Sequence, residues 1–163
     1  MAMTSERENR MDEILHLIDQ YRTGGPGKTI VNTARYCDTS KFRVHVAAFI
    51  PGGADHTEFT RQVVDAGIPL LKLRDGRGVS SINLKALSKY IDDNHIDVLH
   101  SHTYKADYHS LLLKPFMRKI LLVTTHHGWI TNTFVQKIFV KIDLLLSNYF
   151  DGVITVSEKL FRG

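Results

Sequence analysis

The chain has 163 residues, 43% of them apolar and 23% charged, with a formal net charge of +4 when its nine histidines are counted neutral. That length holds one sizeable core and falls short of two full domains. The composition excludes an internal disulfide (Cys37 is the single cysteine), any apolar run near the roughly 18 residues of a membrane span, a signal-peptide core, and a clustered basic and aromatic surface for nucleic acid.

Residues 1–12 carry charge without apolar periodicity and are expected to be a flexible leader or an expression remnant, leaving 13–163 as the folded domain. Glu13 to Asp19 (EILHLID) is a short apolar run closing on Asp19 and Gln20, followed by the loop Thr23-Gly24-Gly25-Pro26-Gly27. From Lys28 to Cys37 the pattern is helical, with Ile30, Val31, Ala34 and Cys37 on one face. Arg43 to Ile50 reads as the second strand, stopped by Pro51-Gly52-Gly53. Asp55 is the expected cap of a helix carrying Phe59, Val63 and Ala66 inward and ending at Gly67.

Ile68 to Leu73 is the third strand and Arg74 to Gly78 a loop, after which Ser80 or Ser81 opens a helix with Leu84, Leu87 and Ile91 inward. Asp97 to His102 forms the fourth strand, and a helix follows through Ala106, Ser110 and Leu113 to Lys114-Pro115. Ile120 to Thr125 is the fifth strand, Phe134 to Phe150 an amphipathic helix, and Gly152 to Val156 the sixth strand. Strands alternating with helices require parallel neighbours joined by crossovers. The expected fold is therefore α/β, a doubly wound, Rossmann-like sheet of about six strands.

Two strands break into histidines at their carboxyl ends, Val98-Leu99-His100-Ser101-His102 and Val123-Thr124-Thr125-His126-His127. Ligands of open α/β sheets sit outside those ends, so titratable donors there point to a site. His100 and His102 share one side of their strand, whereas only one of His126 and His127 can face the same way. A metal cluster of His100, His102 and one of that pair is conceivable, yet no HExxH or recognisable carboxylate pattern accompanies it. His100 is read as a satisfied core histidine, with His102 and His127 as site residues. Gly24-Gly25-Pro26-Gly27-Lys28-Thr29 is not a P-loop, because Arg22 stands where the first glycine of that motif belongs. Its glycines still let backbone amides approach an anion beside a helix N-terminus at Lys28, against the plainer reading of a tight turn.

In combination and order these segments resemble the N-terminal domain of GT-B-fold glycosyltransferases of family 4, the retaining, nucleotide-sugar-dependent group. Gly24-Gly25 follows the first strand, Ala66-Gly67-Ile68-Pro69 enters the third, and Asp97-Val98-Leu99-His100-Ser101-His102 ends the fourth. Thr124-Thr125-His126-His127-Gly128 ends the fifth, and Asp151-Gly152-Val153-Ile154-Thr155-Val156-Ser157-Glu158 forms the last.

The resemblance implies a catalytic role for His127, facing the reaction centre. It implies a donor-phosphate and acceptor loop of Gly24, Gly25, Gly27 and Lys28, and acceptor binding by His102, Thr103, Tyr104 and Lys105. The implied donor is a nucleotide-diphosphate sugar, with no covalently bound cofactor and no required metal. The implied acceptor is a glycan, a lipid-linked or a small molecule. Most of the donor would be held by a C-terminal domain in cis that these residues do not contain, so the chain alone is expected to be inactive. A cytoplasmic hexosyltransferase of cell-envelope polysaccharide synthesis is the implied setting, with peripheral membrane contact and no nucleic acid. Two other classes compete: a stand-alone Rossmann-like binding module and a histidine-based metal hydrolase. A receiver domain is disfavoured because the third strand ends Leu71-Lys72-Leu73-Arg74, without the aspartate such a pocket needs.

Overall fold

Six parallel strands form one sheet in the computed structural model, which describes residues 10–52, 54–76, 78–117, 119–127, 141–142 and 145–156. In chain order come β1 (Asp12–Ile18), α1 (Gly25–Tyr36), β2 (Phe42–Ile50), α2 (Glu58–Asp65), β3 (Leu70–Arg74) and α3 (Ser81–Asp93). They are followed by β4 (Val98–Ser101), α4 (Tyr104–Leu113), β5 (Leu121–His126) and β6 (Gly152–Thr155). Across the sheet the order is β3-β2-β1-β4-β5-β6. The winding runs outward from β1 to β3, then returns to the other side of β1 with β4. In open sheets of this kind ligands bind at such a reversal, here outside the carboxyl ends of β1 and β4.

Burial follows from covering both faces of the sheet. Residues 44–50 of β2 are all buried, as a central parallel strand requires. Strand alternation divides them: Ala47 and Phe49 join Leu15, Leu17, Leu99, Leu87 of α3 and Leu113 of α4. Val44, Val46 and Ala48 join Ile18, Ile30 and Val31 of α1, and Phe59 and Val63 of α2. His16 shares the Ile18 face.

Several boundaries depart from expectation for local reasons. The helix read from Lys28 starts at Gly25, because Pro26 holds φ at the helical value in its first turn. The glycine segment is therefore the opening turn of α1, with Gly24 as its N-cap. The cap of α2 is Thr57, not Asp55: its hydroxyl accepts from the Thr60 amide at 3.2 Å while Thr60 accepts from the Thr57 amide at 2.7 Å. Strand β3 begins at Leu70, since Gly67 (φ +71) and Pro69 still turn the chain. Helix α4 stops at Leu113 and tightens into a 3₁₀ turn over Lys114–Phe116. The expected helix from Phe134 lies largely outside the described residues, of which 141, 142 and 145–147 are helical. None of the helices among the described residues is long and apolar enough to cross a membrane.

The loop glycines separate by packing. A Cβ on Gly27 would lie 2.8 Å from the Phe59 ring and one on Gly24 would lie 2.7 Å from the Gln20 amide, while one on Gly25 would meet nothing within 4 Å. Gly25 also avoids positive φ, so no backbone strain opposes a side chain there. Gly27→Ala is expected to lower stability by about 1–3 kcal/mol through overpacking. Gly25→Ala should be neutral or stabilising by up to about 1 kcal/mol. Urea unfolding of the two variants checks this, and equal losses would contradict the packing argument.

Candidate functional site at the carboxyl edge

The β1–β4 pairing sets His16 opposite His100 and Leu17 opposite Ser101. The His102 amide then donates to the Leu17 carbonyl at 3.1 Å, extending the contact past the end of β4. Three imidazoles are brought together as a result. Ring centroids lie 4.9 Å apart for His16 and His100, 5.1 Å for His16 and His102, and 4.3 Å for His100 and His102. His127, just beyond β5, stacks on His102 at 5.3 Å.

Hydrogen bonds order this group. His16 Nδ1 is 2.8 Å from His102 Nε2, and His102 Nδ1 is 3.0 Å from His127 Nε2. His100 Nε2 is 2.7 Å from the Thr125 hydroxyl. His100 is half-buried beside the others, its ring nitrogen satisfied by that bond. His126 goes elsewhere, with Nε2 2.9 Å from the Ser147 hydroxyl. Adjacent residues thus take separate tasks, His127 facing the histidine row and His126 tying β5 to the segment that precedes β6.

Burial and mutual proximity keep the imidazoles neutral. Desolvation, with His100 nearby, pushes His16 down to about 3. Desolvation and His127 push His100 down to about 4. His102 lies well below the ordinary histidine range, again through burial first and its neighbouring rings second. His127 is lowered by burial and by His126.

A second group occupies the same edge. Lys105, at the start of α4, pairs with Asp75 and lies 3.6 Å from Asp19, which follows β1. Its ammonium also sits 4.6 Å from the centre of the Phe49 ring. Tyr21 donates its hydroxyl proton to Asp75. Burial raises Asp19, and the attraction of Lys105 only partly offsets this. Burial raises Asp75 too, but the bonds from Lys105 and Tyr21 outweigh it and hold its carboxyl below the usual range. Asp75 also gains bonds from Tyr21 and the Gly76 amide that Asp19 lacks, while its charge adds to the rise at Asp19.

The remaining sequence-derived residues have other placements. Thr103 caps α4, its hydroxyl accepting from the Ala106 amide at 3.4 Å. Tyr104 is exposed and its ring lies 6.4 Å from that of Tyr108. Lys28 is exposed on α1, where it lines a shallow depression with Asn32, Arg35 and Gln62. Two open cavities at the amino ends of the strands, beside Met11 and Pro69 and beside Arg10 and Phe116, contain none of the clustered histidines.

Sequence reasoning missed His16, Asp75 and Tyr21. His16 sits mid-strand among apolar residues, and only the neighbourhood of β1 and β4, which a doubly wound order implies, could have flagged it. The conceivable metal group is also changed: His16, not His126 or His127, completes a set with His100 and His102 whose ligand atoms lie within 4.8 Å of one another. A cation there would have to displace a hydrogen bond of His102, both of whose ring nitrogens face other histidines.

The neutral rings make stability pH-dependent. In the unfolded chain a histidine titrates near 6.5, whereas His16 and His100 take protons in the fold only near 3 and 4. The unfolded state therefore binds the proton first as pH falls. Stability present above pH 6.5 should decline towards pH 4, by about 1.4 kcal/mol per pH unit for each such ring. Urea midpoints across that range should fall for the unmodified chain and fall less steeply for His100→Gln. Identical slopes would show that His100 is not held neutral.

The sequence profile of Glycosyltransferase Family 4 matches residues 23–162. No curated protein sequence matches the chain. Among solved structures it is similar to Anabaena Alr3699/HepE in complex with UDP, at 19% identity over 85% of this chain and 35% of that one, with a TM-score of 0.61. A glycosyltransferase from Rickettsia africae shares 15% identity over 91% of this chain and 43% of its own, at 0.60. Sucrose-phosphate synthase from Thermosynechococcus elongatus shares 10% identity over 93% and 44%, at 0.67. The chain thus spans less than half the length of each of these structures, and at such identities the likeness is one of fold. With its Rossmann-like sheet and a profile match over most of its length, the chain belongs to Glycosyltransferase Family 4 and has the fold of a GT-B N-terminal domain.

Proposed function

We propose that this domain forms the acceptor side of a nucleotide-sugar-dependent glycosyltransferase, which moves a sugar with retention onto a glycan, lipid-linked or small-molecule acceptor. The observation carrying the reading is the row of neutral histidines ending in His127, set at the carboxyl edge of β1, β4 and β5. Sugar transfer leaves a nucleoside diphosphate, whose growing negative charge needs fixed donors. The free amides in the first turn of α1 and the positive end of that helix can supply them, and open space at Gly25 admits the oxygens. A C-terminal domain in cis would hold the rest of the donor, and the Anabaena structure, which contains UDP, supports a uridine-type donor class.

His127 would then donate a hydrogen bond to the sugar or the acceptor. Asp19 and Asp75 are both engaged by Lys105, and Asp107 accepts from the Ser101 hydroxyl. That pairing supports transfer guided by hydrogen bonds instead of by a carboxylate nucleophile. In this reading His102 and Lys105 shape the acceptor side, while Thr103 holds the first turn of α4. The cytoplasmic setting, the cell-envelope role and peripheral membrane contact belong to the same proposal, as does activity without a metal.

In the full-length enzyme His127→Ala should cut acceptor-dependent release of nucleoside diphosphate by about 10²-fold or more. His126→Ala should instead cost about 1 kcal/mol of stability, through the lost bond to Ser147, with little change in turnover. Chromatographic assay of product beside thermal melts separates the two, and equal activity losses at unchanged stability would defeat the assignment. Gly25→Val should raise the donor KM at unchanged melting temperature, because its side chain enters open space next to the helix amides. Unaltered kinetics would remove Gly25 from the site.

A further inference from the structure

His16, His102 and His127 form one continuous hydrogen-bonded row, 2.8 Å and 3.0 Å between successive nitrogens. A neutral imidazole carries one N–H and one lone pair, so each link needs one ring to donate and the next to accept. Only two proton arrangements satisfy both links. Either every proton points towards His16, or every proton points towards His127. In the first, His127 and His102 donate inward, and the His16 proton must sit on Nε2. That atom is buried and has no hydrogen-bond partner among the described residues. In the second, His16 Nδ1–H donates to His102 Nε2, His102 Nδ1–H donates to His127 Nε2, and His127 carries its own proton on Nδ1.

The two arrangements differ in what they strand. The first buries an orphaned N–H, which folded proteins rarely tolerate, while the second leaves a bare lone pair. His109 provides an internal precedent for the second. Its Nδ1 lies 2.7 Å from the Lys105 carbonyl, so that nitrogen must hold the proton. Its Nε2 is likewise buried without a partner among the described residues. His100, although stacked on His16 and His102, bonds to the Thr125 hydroxyl and stays outside the row.

We propose that His16, acting through His102, is a positioning residue that locks His127 in its Nδ1–H tautomer, so that the half-buried end of the row offers a hydrogen-bond donor to a ligand oxygen. Because the row ends blindly at His16, it cannot pass a proton onward; His127 acts as an oriented donor, not as a conduit. The depressed basicity of all three rings keeps the row uncharged at neutral pH, which makes tautomer the variable that matters. What meets the proton, a sugar hydroxyl or a phosphate oxygen, rests on the function proposed above; where the proton sits does not.

The test is nitrogen-15 NMR of the 163-residue chain labelled at histidine, at pH 7.5, with long-range proton–nitrogen correlations that distinguish Nδ1–H from Nε2–H rings. Signals of His127 are assigned by their loss in His127→Gln. The unmodified chain should show His16, His102 and His127 all as Nδ1–H. In His16→Phe, with folding verified by circular dichroism, His127 should shift to averaged signals of both tautomers. His16→Asn, whose side-chain amide can replace the lost donor, should restore the single Nδ1–H pattern. An Nε2–H pattern for His127 in the unmodified chain overturns the proposal. So does an unchanged His127 in folded His16→Phe, or identical behaviour of the Phe and Asn variants. If His16→Phe does not fold, His16→Leu takes its place with the same expected and opposing results. Absence of sugar transfer by the full-length enzyme would contradict the proposed function and leave these spectra unaffected, so the two ideas fail separately.

Discussion

The parallel pairing of β1 with β4 is the contact on which the site depends. Every other neighbour in the sheet continues the winding in one direction, whereas this pair joins its two halves. Its register places His16 level with His100 and fixes the height at which His102 leaves the sheet. A slip of one residue would send His16 to the opposite face, among Leu15 and Leu17, and would dissolve the row. The apolar residues flanking His16 on β1 are wholly buried and oppose such a slip.

Why so many histidines can share one edge is an electrostatic matter. Four charged imidazoles at these separations would repel strongly, and no carboxylate forms a described hydrogen bond with any of them. Burial resolves the conflict by favouring the neutral state, in which each ring carries one donor nitrogen and one acceptor nitrogen. The acids of the edge are gathered separately around Lys105. The edge is thereby divided into an uncharged row at β1, β4 and β5 and an ionic cluster spanning β1, β3 and α4.

Much of the architecture was legible in the amino-acid order. Alternation of apolar runs and helical patterns, with glycine and proline between them, was enough to place the strands and anticipate a parallel sheet. Boundaries were misplaced where competing local signals occurred, as at Pro26, which pulls the start of α1 forward, and at Thr57, whose reciprocal bonds with Thr60 outcompete Asp55. Site residues at strand ends, His102 and His127, stood out because polar residues interrupt apolar runs there. His16 did not, since it interrupts nothing and acquires its neighbours only when β4 returns to lie beside β1. Lys105 entered only through the family resemblance, as an acceptor-binding residue. Its engagement by Asp75, 30 residues away in sequence, and by Asp19, still farther off, depends on the assembled sheet.

Lys105 also bears on how the edge behaves when empty. Its ammonium touches a carboxylate from the end of β1 and another from beyond β3, and rests over the Phe49 ring of the strand between them. With only 12% of its side chain exposed, it acts as an internal clip holding three strand ends at fixed spacing. The rim is thus shaped during folding, before any ligand arrives. A ligand entering such a rim has few side chains left to immobilise, so its contacts contribute to orientation with little offset from lost motion in the protein.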